Sequence, residues 1–110
     1  MAKYLFRATY AAAGIKGLEK DTAQGRKTAV GQALETLGRK MEAFYYSFGD
    51  QDWVAIADLP DIASAMAFSQ SVTSSGLLRT LATHLVTVEE MDKALQKKTG
   101  FKAPGQFTAK

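Results

Sequence analysis

The 110-residue chain has no cysteine, so disulfides, thiolate metal sites and cysteine nucleophiles are excluded. Most nucleophilic catalysis goes with them. Apolar runs of 18 or more residues are also missing, which leaves no candidate for a membrane-spanning helix. Residues 1–3 pass straight into an alternating pattern with no apolar signal core, so the expected location is cytoplasmic. Histidine occurs once, as His84, and one imidazole cannot supply the three or four ligands of a usual zinc site. No metal is expected. Phosphate-cradling glycine loops of the Walker or Rossmann kind are absent as well.

What is present suits one small folded unit. At 110 residues there is room for a single core, and 46% apolar with 23% charged residues is ordinary for a globular chain. The expected domain spans 1–110, with a core over about 3–98 and a tail over 99–110. The net charge of +3 owes much to Lys93, Lys97, Lys98, Lys102 and Lys110 near the end, a distribution typical of a solvated face.

Hydrophobic periodicity sets the element order. Residues 3–10 alternate, with Tyr4, Phe6, Ala8 and Tyr10 on one face and Leu5, Arg7 and Thr9 on the other, the period of a strand. Gly14 follows, then a short helical piece through Ile15 and Leu18, and then Asp21 as an N-cap for the main first helix. Val30, Ala33, Leu34 and Leu37 form its apolar stripe, and Gly38 stops it. Residues 39–48 read as a second strand buried on both sides, with Phe44, Tyr46 and Phe48 opposite Met41, Ala43 and Tyr45.

A tight turn over residues 49–52 leads into a third strand over 53–59. Pro60 ends that strand and Asp61 caps a helix whose expected inner stripe is Ile62, Ala65, Met66, Ser69 and Val72. Residues 77–86 form the fourth strand. Thr87 and Glu90 make a capping box for a short last helix striped by Val88, Met91 and Leu95. In the tail, Phe101 and Phe107 are candidates for a clasp on a partner subunit.

Strand, helix, strand, strand, helix, strand and a terminal helix is the βαββαβ order of an α+β ferredoxin-like fold with a four-stranded antiparallel sheet. Two helices cover one face of such a sheet. The strands carry apolar residues on both faces, so the second face needs a cover, and a second copy of the chain paired about a two-fold axis supplies one. The expected partner is therefore a homodimer mate or a higher homo-oligomer, joined through the sheet. Nucleic acid is not expected. RNA-recognition sheets carry a basic, aromatic third strand, whereas this one reads Asp52, Trp53, Val54, Ala55, Ile56, Ala57, Asp58.

Few side chains suggest chemistry. His84, the one group whose ordinary pKa lies near neutrality, is a candidate general base. Asp50 and Asp52 suit a turn, where aspartate bonds nearby amides; Asp52 is also a candidate at the rim of a pocket lined by Tyr46 and Trp53, paired with Arg79 or Arg7. Arg7 lies mid-strand among apolar neighbours, where an unpaired charge is costly. Either a salt bridge within the dimer or an anionic ligand would satisfy it. The candidate catalytic residues are thus His84 and Asp52, and the candidate ligand-binding residues Arg7, Tyr46, Trp53 and Arg79.

Several short motifs carry a family likeness: Lys3-Tyr4-Leu5, Gly14, Leu37-Gly38, Phe48-Gly49-Asp50-Gln51-Asp52, Leu59-Pro60-Asp61, Gly76 with Arg79-Thr80, the run from Thr87 to Met91, and Ala103-Pro104-Gly105. In these the chain resembles the GYD domain family, small proteins of the dimeric α/β-barrel group. One departure stands out, since Gln51 precedes Asp52 where the family's name tripeptide has tyrosine. The resemblance implies a dimeric α/β barrel. It implies no assigned activity. Because relatives in that wider group include proteins that bind haem through a histidine and cofactor-free oxygenases with tyrosine-lined pockets, haem at His84 and chemistry at Tyr4, Tyr10, Tyr45 or Tyr46 come into consideration, although no cofactor is expected.

Two functions remain open at this level: a non-catalytic or small-molecule-binding protein, including an assembly or stress-associated one whose interior is filled by side chains, or a cofactor-independent enzyme of oxygenase or isomerase type acting on a small hydrophobic or aromatic compound. The absence of any acid, base and nucleophile set favours the first.

Overall fold

The computed structural model describes residues 2–38 and 40–106. Arg39, expected to open the second strand, and Phe107, expected in a clasp, lie outside them. The elements run β1 (Ala2–Tyr10), α1 (Ala12–Glu35), β2 (Met41–Tyr46), β3 (Trp53–Leu59), α2 (Ile62–Ser74), β4 (Leu78–Leu85) and α3 (Val88–Gln96). The strands form one sheet in the order β2-β3-β1-β4 with every neighbouring pair antiparallel. This is the expected ferredoxin-like α+β arrangement.

Alternation along the central strands explains the core. Tyr4, Phe6 and Ala8 of β1 and Trp53, Ala55, Ala57 and Leu59 of β3 all point to one face, where Val30 and Leu34 of α1 and Ala65 and Phe68 of α2 cover them. Phe6 and Phe68 meet edge to face at 4.7 Å, and the Trp53 ring lies 5.2 Å from Phe44. Such contacts add to the area term because a ring edge is electropositive and its face electronegative.

Three elements differ from expectation. The first helix kinks at Thr22, whose φ of 73° and ψ of 161° belong to a region that side-chain-bearing residues avoid. Its Oγ1 accepts from the Gly25 amide at 3.2 Å, so Thr22 and not Asp21 caps the second half, and Asp21 instead pairs with Arg26. In β2 a register shift between Met41 and Ala43 turns Met41 to the helix side, beside the core. That strand is an edge, with Tyr45 and Tyr46 exposed and Phe48 wholly outside, and not the doubly buried strand its aromatics suggest. In α2 the buried stripe is Ala65, Phe68 and Val72, leaving Ile62 and Met66 exposed.

Gly38 has a φ of +143°, and a Cβ there would come within 3.0 Å of Pro60 Cδ, so α1 ends where only glycine turns the chain past the start of α2. Asp61 caps α2 by accepting from the Ser64 amide at 2.9 Å, and the Thr87–Glu90 box caps α3 from both sides. Nothing buries α3: Val88, Met91 and Leu95 are all exposed. The radius of gyration, 18.3 Å, exceeds the roughly 13 Å of a compact chain of this length, which fits a last helix standing off the body.

The second sheet face is open. Leu5, Arg7, Val54, Ile56, Leu81, Thr83 and Leu85 share it, half-buried or exposed, while both long helices pack on the other side.

Candidate functional site

Strand register divides the candidate residues among three places. Arg7 and Arg79 lie on the open face, whereas Tyr46, Trp53 and His84 lie on the helix face. His84 pairs with Tyr4, and Asp52 binds the amide of Tyr10; those two β1 residues are separated by about 20 Å at the usual 3.4 Å rise per residue. His84 and Asp52 therefore cannot act on one bound molecule as an acid–base pair. Asp52 meets neither expected arginine: its Oδ2 accepts from the Tyr10 backbone N–H at 2.7 Å, while its own amide donates to Ala8 O at 2.7 Å. It fastens the β2–β3 turn to the end of β1.

His84 is exposed at the edge of a groove of about 240 Å³ between α2 and β4, together with Tyr4, Ile62, Met66, Ser69 and Ala82. Its ring stacks on Tyr4 with centroids 5.0 Å apart. The acid facing it is Glu90, whose carboxyl is held below its ordinary value chiefly by the Thr87 amide it accepts from. No carboxylate lines the groove itself, and among the described residues no cluster of three or more histidine, aspartate or glutamate side chains could hold a metal.

At the far end of the same face, Tyr10, Trp53, Tyr46 and Arg26 converge under the α1 kink. The Tyr46 hydroxyl donates to Ala23 O at 2.8 Å. Burial raises the Tyr10 phenol above its ordinary pKa, opposed by the Trp53 indole N–H and the Arg26 guanidinium that face it. Burial likewise raises Tyr46, with Tyr10 nearby. Tyr10 Oη and Trp53 Nε1 are both buried, and neither finds a partner at hydrogen-bonding geometry. From the sequence, Tyr10 is a strand residue and one tyrosine among four, and Arg26 has no expected role. The sequence sets a break at Asp21, one residue from the kink, but nothing local announces that the kink brings Arg26 to Tyr10.

On the open face Arg7 is isolated among apolar side chains. Its Nη2 donates to Thr83 Oγ1 at 3.2 Å, while Nε is buried without a partner. The acids on the neighbouring strands are already engaged, since Lys3 pairs with Asp58 at 3.3 Å and with Glu42. Arg79, exposed on β4 opposite Thr9, borders a shallow hollow of about 280 Å³. A further depression, of about 450 Å³, is an open trough along α1 next to Lys40 and Met41, lined chiefly by polar side chains.

The β2-β3-β1-β4 sheet with two helices on one face defines a ferredoxin-like α+β protein of the kind from which dimeric α/β barrels are built. The sequence model of the GYD domain matches residues 4–95, and the chain belongs to the GYD domain family. No curated protein matches it significantly in sequence. Among solved structures it is similar to 5-chloro-2-hydroxyhydroquinone dehydrochlorinase from Burkholderia phenoliruptrix, determined in complex with 2,5-dihydroxybenzoquinone. The identity is 14%, the match covers 82% of this chain and 98% of that one, and the TM-score is 0.53. At that identity the likeness concerns the fold alone. No helix among the described residues is long and apolar enough to cross a membrane.

Proposed function

We propose that the chain works as a homodimer paired through its open sheet face, holding a small, planar, acidic ring compound between the two sheets without transforming it. The observation that carries this is Arg7, a guanidinium with a buried, unpartnered Nε set among Leu5, Val54, Ile56 and Leu81. Covering the apolar face removes solvent from that charge, and a desolvated charge needs an anion. With Asp58 and Glu42 holding Lys3, the anion comes from a ligand. A guanidinium takes carboxylates and similar planar oxyanions through two parallel bonds.

The solved structure of similar fold holds a dihydroxybenzoquinone, a planar vinylogous acid. That compound is the first probe to try. Binding is preferred to catalysis because His84 and Asp52 lie too far apart to cooperate, and the reading needs no cofactor. Titration calorimetry with 2,5-dihydroxybenzoquinone and simple aromatic acids, run beside sedimentation velocity, tests both halves. Saturable binding by a dimer, lost in Arg7→Gln, is expected. A monomer at micromolar concentration, or equal binding by Arg7→Gln, would sink the proposal.

A further inference from the structure

The open face does not account for the unsatisfied groups under the α1 kink, which lie on the other side of the sheet. Three features coincide there. Trp53, 1% exposed, has an indole N–H that faces Tyr10 Oη without reaching hydrogen-bonding geometry, and the Tyr10 hydroxyl has no partner at such geometry either. Leaving such groups unmatched in the interior costs about 1–3 kcal/mol each, so folded proteins rarely do so without a bound water or ligand. In α1, next to Asp21, Thr22 is the single non-glycine residue of positive φ among the described residues, in a conformation that side-chain-bearing residues avoid and that concentrates at functional sites. Between the first half of α1 and the end of β1 lies a void of about 90 Å³, lined by Tyr10, Gly17, Leu18, Arg26, Leu77 and Leu78 as well as Gly14 and Asp21.

The chemistry of the lining selects the occupant. An arginine is a donor only, and a protonated tyrosine has one proton to give. The Trp53 N–H faces the Tyr10 oxygen, so the proton of Tyr10 is the donor left over for a guest. Arg26 gives Nη1 to Asp21 at 3.2 Å and also faces the Tyr10 oxygen, and a guanidinium has five N–H groups, more than those two contacts use. Leu18, Leu77 and Leu78 supply an apolar wall. The volume is that of roughly three water molecules in the liquid, room for a carboxylate head with a very short alkyl tail and not for a ring.

Glycine keeps the space open. A Cβ on Gly14 would lie 2.1 Å from Leu77 O, so the helix is pressed against the entry to β4 and that wall cannot move inward. A Cβ on Gly17 would meet nothing within 4 Å, so that position can be filled at will.

We propose that this void is a binding site for a short-chain carboxylate such as acetate or propionate, whose oxygens accept from the Tyr10 hydroxyl and the Arg26 guanidinium. Asp21, which pairs with Arg26 and itself lines the void, limits the affinity for an anion to about the millimolar range, which a ligand of four or five heavy atoms reaches.

Because the chain has a single tryptophan, its indole N–H gives one NMR resonance, and that resonance reports on the site. Titrating the whole protein with sodium acetate, against sodium chloride at equal ionic strength, is expected to move it saturably in acetate alone. Arg26→Gln, at a partly exposed position, is expected to weaken the response about tenfold, as losing a charge-assisted bond does. Gly17→Val, which fills the void from the helix side, is expected to abolish it with the fold intact by circular dichroism. A resonance that acetate leaves in place, that moves linearly or equally in chloride, or that saturates unchanged in either variant overturns the proposal. A water filling the void would give the first of these results.

Discussion

The pairing of the open sheet face can be tested at Leu81, which is 51% exposed in the single chain and sits opposite Arg7 on β4. Fully burying a leucine contributes about 1.5–3 kcal/mol, so covering the exposed half contributes about 0.8–1.5. An isologous interface counts this twice, so Leu81→Ala should weaken the dimer by about 1.5–3 kcal/mol, or roughly 10- to 150-fold in Kd. Leu81→Lys goes further. It loses the same area and sets two ammonium groups beside two unpaired Arg7 guanidiniums in the closed interface, with several kcal/mol of desolvation for each buried ion. A total above about 5 kcal/mol moves a micromolar dimer beyond millimolar. In the single chain the same lysine faces water, and like charges across two strands cost at most about 1 kcal/mol, so the fold survives. Sedimentation velocity at tens of micromolar, on the order of ten times such a Kd, reads the outcome, with circular dichroism confirming the fold. A Leu81→Lys variant that sediments as the wild type does, whether both are dimers or both monomers, refutes the reasoning.

Thr22→Gly and Thr22→Ala should differ in sign. Glycine removes about 1–3 kcal/mol of backbone strain at the price of a few tenths for the lost cap and about 0.5–1 for unfolded-state freedom, a net gain near 1 kcal/mol in urea unfolding; alanine keeps the strain, loses the cap and destabilises by about 1 kcal/mol. Phe68→Ala should lose about 3–5 kcal/mol in the same assay, because the ring is 2% exposed and packs on Phe6; a loss under about 1 kcal/mol would mean that α2 does not seat there. Asp61 is held below its ordinary carboxyl value first by the Ser64 amide and then by the Ser64 hydroxyl. The folded value is depressed, so its contribution is present above the unfolded value and is lost as pH falls through the folded one. Asn caps about as well without titrating, so thermal melts of Asp61→Asn between about pH 6 and 2 should fall less on acidification than those of the wild type; parallel curves would refute the assignment.

Much of this molecule was legible from the chain alone, and for local reasons. Alternation along β1 and β3 and the helical stripe of Val30 and Leu34 depend on residues a few positions apart, and so do the caps at Asp61 and Thr87. Element order and the need to cover a second sheet face therefore followed from sequence. Only the tertiary structure decided matters that depend on register and on one backbone kink. The bulge in β2 moved Met41 to the core side, and the face that α2 turns to the sheet buried Phe68 in place of Ile62 and Met66. Antiparallel pairing set His84 against Tyr4 and Asp52 against Tyr10, at opposite ends of one strand, which separated the two candidate catalytic residues within a chain. The strained turn at Thr22 carried Arg26 to Tyr10 and Trp53, a meeting of residues far apart in the chain that no window of a few residues encodes. Periodicity is a property of neighbours along the chain, whereas a site is made by neighbours in space.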